Sequence, residues 1–215
     1  MIIDNVVSYR PALPVPGDLS FGQYVVDMLK KHSVEDSVAL INGATGHMLS
    51  YGQILQGIVN LATGLKALGV KRGDVIALYS DNCGEFLTVA LGVVCTGATL
   101  TTFNVHYTKD ELCHSLTLSR PKMVFASENC LQRNLLTLKA AASLEKIIQM
   151  NGETMDGVMD YRNVLVSADP STFEAEEVHG CTDVVFILYS SGTTGLPKGV
   201  MLTHINELYA AAQLE

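Results

Sequence analysis

Val75-Ile-Ala-Leu-Tyr-Ser-Asp-Asn-Cys-Gly-Glu-Phe-Leu-Thr-Val-Ala-Leu-Gly-Val-Val-Cys-Thr-Gly-Ala-Thr-Leu-Thr-Thr-Phe103 reads as one strand–helix–strand unit. Val75 to Tyr79 is an apolar run of strand length, introduced by Gly73-Asp74. Asn82 with Glu85 is predicted to cap a helix through Val94; Gly97 ends it, and Thr99 to Phe103 supplies the next strand. A competing reading exists, because Phe86 to Val105 carries no charge over a length able to cross a bilayer. That stretch holds Thr88, Thr96, Thr99, Thr101, Thr102 and Asn104, and Gly92 and Gly97 divide it. A buried helix followed by a buried strand accounts for it better than a membrane span.

The same grammar extends in both directions. Upstream, Val38 to Ile41 and His47 to Leu49 flank Asn42-Gly43-Ala44-Thr45-Gly46, a hairpin with a glycine-rich turn. Ser50 and Gln53 form a capping box, and the helix that follows puts Ile54, Ile58, Leu61, Leu65 and Leu68 on one face before Gly69. Downstream, Thr108 and Glu111 form a second box, whose helix is predicted to stop before Arg120-Pro121, with the pre-proline residue driven towards extended geometry. Lys122 to Ala126 is a strand, Asn129 to Ala142 a helix, and Lys146 to Met150 a strand ended by Asn151-Gly152. Strands alternating with helices imply an α/β fold, a mainly parallel sheet flanked by helices on both faces. Met155 to Gly180 lacks such pattern, and its cluster Glu174, Glu176 and Glu177 reads as a solvated connection.

Composition narrows the function classes. The 215 residues are 48% hydrophobic and 17% charged, which excludes general disorder. Fourteen basic residues against 22 acidic ones give a net charge of -8, so no positive field attracts nucleic acid. Five widely spaced cysteines without a C-x-x-C motif argue against a disulfide framework. Neither His106, Cys113 and His114 nor His179-Gly180-Cys181 has the paired short spacings of a zinc site, so no direct metal ligands are predicted. Met1-Ile-Ile-Asp-Asn5 is not a secretory signal, and the expected location is intracellular.

Asp183 to Tyr189 is a second buried-strand run, and it leads into Ser190-Ser-Gly-Thr-Thr-Gly-Leu-Pro-Lys-Gly199. These ten residues supply four hydroxyls, three glycines and one lysine. Glycine lets backbone N–H groups turn inward on an anion, hydroxyls add donors, and a lysine adds full charge, which together suit a triphosphate. This is not the Walker pattern, because proline precedes Lys198 and glycine follows it. Pro197 stiffens the loop into a clamp that presents Lys198. Val200-Met201-Leu202 then reads as a short strand and Thr203 as the N-cap of a helix with Ile205, Leu208, Tyr209 and Ala212 on one face.

Tyr189-Ser-Ser-Gly-Thr-Thr-Gly-Leu-Pro-Lys-Gly-Val-Met-Leu-Thr-His204 resembles the signature of the AMP-forming adenylating enzymes, which include acyl-CoA synthetases, 4-coumarate–CoA ligases, luciferases and peptide-synthetase adenylation domains. Leu49 to Gln53, Gly69 to Leu78, Asn82 and Asn104 to Leu112 fall where that family has comparable elements, so the resemblance runs from about Phe21 onward. Its nearest flavour is the 4-coumarate–CoA ligase and luciferase-like branch. One departure is Val105, where the family commonly has proline after the asparagine.

The resemblance implies a reaction. A carboxylic acid attacks the α-phosphate of Mg-ATP to give an acyl-adenylate and pyrophosphate, and the thiol of coenzyme A displaces AMP to form a thioester. By position, Ser190, Ser191, Gly192, Thr193, Thr194, Gly195 and Lys198 would hold the β- and γ-phosphates, with Mg2+ arriving on ATP. Residues 1–215 are expected to be the N-terminal part of the AMP-binding domain, without the adenine-pocket motif or the C-terminal domain and its adenylation lysine. No catalytic residue is therefore assigned, and the chain alone is expected to be inactive. Two other readings stand beside this one: a non-catalytic nucleotide-binding module, and a luciferase-like monooxygenase on the same scaffold. Among compartments the cytoplasm is favoured, with the peroxisome as the alternative.

Overall fold

The computed structural model describes residues 19–34, 37–43, 45–190 and 195–212. Helix α1 (Phe21–Ser33) precedes a two-stranded antiparallel sheet of β1 (Val38–Ile41) and β2 (Met48–Ser50). There follow α2 (Tyr51–Ala67), β3 (Val75–Tyr79), α3 (Gly84–Val94), β4 (Thr99–Thr102), α4 (Lys109–Ser119), β5 (Met123–Ala126), α5 (Glu128–Lys139) and β6 (Lys146–Gln149). Strands β7 (Met159–Asp160), β8 (Val184–Ser190) and β9 (Lys198–Thr203) and helix α6 (His204–Ala212) complete the order. The main sheet has seven strands in the order β7-β6-β5-β3-β4-β8-β9, parallel throughout except for the antiparallel pair β8–β9.

Period-two alternation puts apolar side chains on both faces of this sheet. Ile76, Leu78, Met123 and Phe125 face α2 and α3, whereas Ala77, Tyr79, Val124 and Ala126 face α4 and α5. Helix α1 forms an outer layer, with Val26 packed on Ile54, Ile58 and Ala62 of α2. Cys95 is buried beneath it, and burial pushes its thiol up to about 12. Phe86 to Val105 resolves into α3 and β4, and among the described residues no helix is long and apolar enough to cross a membrane.

Both predicted capping boxes form, Ser50 with Gln53 and Thr108 with Glu111. Other boundaries differ. Asn82 does not cap α3: the chain is still extended at Cys83 (φ -140, ψ 172), which is the N-cap, so Glu85 falls one position short of a box. Arg120 ends α4 in the left-handed region (φ 46, ψ 54) rather than extended, and its N–H bonds the Leu116 carbonyl at 2.9 Å. Helix α5 starts at Glu128 and ends at Lys139; inside it Asn134 leaves helical geometry (φ -132, ψ 15), and its amide donates to the Tyr79 hydroxyl at 2.9 Å. Thr203 does not cap α6 with its hydroxyl. Its N–H and Oγ1 both donate to Asn206 Oδ1, each at 2.9 Å, so the asparagine closes the turn.

The largest correction concerns residues 155–180. This segment adds β7 to the sheet edge and then straps across the outer helices. The Val166 N–H donates to the Asn60 carbonyl (3.1 Å), the Ala168 N–H to Asn60 Oδ1 (3.1 Å) and the Ala175 N–H to Gln23 Oε1 (2.8 Å). Glu176 pairs with Lys66 at 2.7 Å, while Glu174 and Glu177 are exposed. The strap presses so closely on α2 that a Cβ at Gly64 would collide with the Val164 carbonyl oxygen. Helix propensity alone makes Gly64→Ala favourable by roughly 1 kcal/mol. Overpacking reverses that sign, and the variant is expected to lose about 2 kcal/mol net, a fall in Tm of roughly 4–8 °C by thermal denaturation. A raised Tm would contradict the close approach.

The end of the strap is clipped by charge, with Arg72 and Glu176 both lying against Gly97. Arg72, in the turn before β3, donates from Nε to Asp183 Oδ2 at 2.6 Å, and the His179 N–H donates to the same oxygen at 2.8 Å. Burial opposes the Asp183 carboxylate, but Arg72 and the His179 N–H outweigh it and hold its pKa below the usual carboxylate value. A depressed folded-state pKa contributes stability that is present above the unfolded value of about 4 and is lost as pH falls through the folded value. Asp183→Asn is therefore expected to flatten the acid limb of a Tm-against-pH curve below about pH 4, where the variant and the parent converge. A constant Tm difference down to the lowest pH would refute this linkage.

Candidate functional site

The site is built on the β8–β9 hairpin. Strand β8 runs parallel to β4, and two buried threonines of β4 reinforce that join. Thr99 Oγ1 donates to the Val184 carbonyl at 2.7 Å and Thr101 Oγ1 to the Ile187 carbonyl at 3.1 Å. The chain leaves β8 at Ser190 and returns antiparallel, with Ser190 registered opposite Lys198. Strand β9 is thus six residues long and starts at Lys198 itself, where a shorter strand starting at Val200 was expected. Gly195 sits at φ +106, a conformation L side chains rarely adopt. Pro197 is buried, whereas Lys198 is exposed and ion-paired with none of the described residues.

Of the residues expected to hold phosphates, Ser190 and Lys198 therefore face each other across the hairpin, and Gly195 precedes the lysine by three positions. Ser191, Gly192, Thr193 and Thr194 lie outside the described residues. A cation with no partner among its described neighbours, next to a glycine that opens the backbone, suits an anionic ligand.

An aromatic cluster backs the hairpin. Tyr189 packs against Phe103 (ring centroids 5.9 Å) and Tyr107 (6.4 Å, interplanar 84°), and Phe103 meets Tyr79 at 6.4 Å. Burial raises the pKa of both the Tyr79 and Tyr107 hydroxyls, which keeps these groups neutral. Beside this cluster, at the carboxyl ends of β3, β4 and β8, lies a cleft of about 350 Å³ lined by Ser80, Asn82, Asn104, Tyr107 and Tyr189. Asn82 and Asn104, far apart in sequence, thus meet Tyr189 around one opening. Asn104 also holds its own turn, its Oδ1 accepting the His106 N–H at 2.9 Å.

Sequence reasoning missed what lies under the hairpin. Tyr189 donates its hydroxyl to the Ser115 carbonyl at 3.0 Å, and His114 Nε2 bonds the Pro197 carbonyl at 3.1 Å. His114, considered from sequence only as a metal ligand, is a neighbour of the loop. The described residues contain no group of three His, Cys, Asp or Glu side chains placed to hold a metal ion. The contact spans 83 residues, and no local pattern announces it.

The family model described as AMP-binding enzyme matches residues 30–215. The 4-coumarate–CoA ligase CCL1 of Humulus lupulus is 33% identical over 206 residues, covering 96% of this chain and 37% of that protein. The luciferin 4-monooxygenase of Nipponoluciola cruciata is 32% identical over 207 residues, 94% of this chain and 38% of its own length. Among solved structures, a red-emitting luciferase from Phrixothrix hirtus superposes with a TM-score of 0.78 at 30% identity, covering 86% of this chain and 46% of the other. A long-chain-fatty-acid-CoA ligase from Archaeoglobus fulgidus gives a TM-score of 0.80 at 25% identity, with 95% and 40% covered. The chain spans little more than a third of the length of the curated relatives it matches. On the family match and these identities, the chain belongs to the AMP-binding enzyme family.

Proposed function

We propose that this chain carries the phosphate-binding part of an AMP-forming acid–thiol ligase. The observation that carries the reading is the β8–β9 hairpin, which sets exposed Lys198 opposite Ser190 beside Gly195 in a chain of the AMP-binding family. In the adenylation step a substrate carboxylate oxygen attacks the α-phosphorus of Mg-ATP. The bond to the bridging oxygen breaks, and pyrophosphate leaves. Backbone N–H groups and hydroxyls of Ser190, Ser191, Gly192, Thr193, Thr194 and Gly195, with the Lys198 ammonium, hold the β- and γ-phosphates and offset charge building on that leaving group. Mg2+ enters as part of the nucleotide substrate. No general base is required, because a carboxylate is already nucleophilic. In the second step the thiol sulfur of coenzyme A attacks the acyl carbon, AMP leaves, and a thioester results.

The acid we favour is of the 4-coumarate type, on the strength of the 33% identity to the Humulus lupulus ligase. Adenylation is also the first step of the luciferase-like reading, which the Nipponoluciola cruciata and Phrixothrix hirtus likenesses support. The second step separates the two: thioester formation with coenzyme A for the ligase, light with a luciferin for the oxygenase. We place the protein inside the cell, in the cytoplasm before the peroxisome. One relative named as a peroxisomal ligase supports an intracellular site.

The 215-residue chain is expected to bind Mg-ATP without releasing pyrophosphate, since positioning both reactants supplies much of such catalysis and the chain spans 37% of its relative's length. Mg-ATP titration should give saturable binding, and nucleotide should shield Lys198 from an amine-acylating reagent. Lys198→Ala should weaken Mg-ATP binding by about tenfold, the loss of one charge-assisted contact. Absence of both saturable binding and Lys198 protection would exclude nucleotide binding by this loop. Pyrophosphate release by the chain with a carboxylic acid would exclude the expected inactivity.

A further inference from the structure

Helix α4 touches both arms of the hairpin with adjacent residues. The Ser115 carbonyl accepts the Tyr189 hydroxyl on the β8 arm, and His114 Nε2 meets the Pro197 carbonyl on the β9 arm. A carbonyl oxygen only accepts, so Nε2 carries the proton and donates it. The frame behind these contacts is firm: α4 is capped by Thr108 and Glu111, and Leu112 and Leu116 are buried under it.

Pro197 has φ locked by its ring, which leaves ψ as its one soft backbone torsion. That torsion orients the peptide plane between Pro197 and Lys198, which contains both the Pro197 carbonyl and the Lys198 N–H. A hydrogen bond at the carbonyl oxygen therefore fixes the plane, and with it the direction in which Lys198 leaves the backbone. We propose that His114 is a positioning residue for Lys198: its N–H holds the Pro197 carbonyl and so aims the lysine at nucleotide phosphates. The proposal rests on the nucleotide reading given above.

The test uses the 215-residue chain with two substitutions at a half-buried position. His114→Phe keeps ring bulk and loses the donor; His114→Gln keeps an N–H donor at similar reach. Amide hydrogen exchange at Lys198 and Gly199, measured without nucleotide, is expected to accelerate roughly fivefold in His114→Phe and to stay within about twofold of the parent in His114→Gln. Mg-ATP titration should show the same order, with Kd raised about fivefold in the phenylalanine variant and restored by glutamine. Unchanged exchange in His114→Phe, or equal impairment in both variants, overturns the proposal. If the parent chain fails to bind Mg-ATP, the nucleotide reading falls, and the exchange measurement still decides whether His114 holds this arm.

Discussion

Strand β3 has a paired strand on each edge and packed helices on each face. Ile76 and Leu78 point one way, Ala77 and Tyr79 the other, and all four are buried. A strand in that position has no room for a charged group, so side chains able to meet a ligand fall in the loops beyond the strand ends. The connection after β3 leads to β4 on one side, and the next crossover carries the chain to β5 on the other. Connections that diverge in this way leave a crevice at the carboxyl edge of an open α/β sheet. Ser80, Asn82, Asn104 and Tyr189 gather at that edge.

The hairpin joins this platform through a narrow seam. Only Leu100 with Phe186 and Thr101 with Ile187 are in register between β4 and β8, and the hydroxyls of Thr99 and Thr101 add bonds to β8 carbonyls. Valine at either threonine would match the shape of the core but leave a carbonyl with one bond fewer. Helix α4 grips the hairpin from the opposite face, so the strand pair is held by a sheet edge on one side and a helix on the other.

Most of the layered core is legible locally. The run Val75 to Tyr79 and the boxes at Ser50 and Thr108 declare themselves because strand hydrophobicity and helix caps depend on residues a few positions apart. Reading fails where the deciding contact is distant. Val164 and Val178 are buried, yet the segment around them has no periodicity, because apart from short local turns such as Val164 N–H to the Tyr161 carbonyl its backbone bonds go to Asn60, Gln23 and Cys95. Asn134 breaks its helix towards Tyr79, a partner 55 residues away. In the site, glycine, serine and lysine chemistry marks the loop, whereas His114 looks like any surface histidine until the fold brings Pro197 to it.

The pairing of Ser190 with Lys198 has a consequence for how such a loop tolerates change. Because the ladder pairs them, the separation of Ser190 and Lys198 is set by strand spacing and not by the chain that joins them. A residue inserted between them leaves the lysine where it stands. Chain length in the loop and placement of the cation are therefore separable, so the reach of the loop can vary among related chains while its charge stays anchored to the sheet.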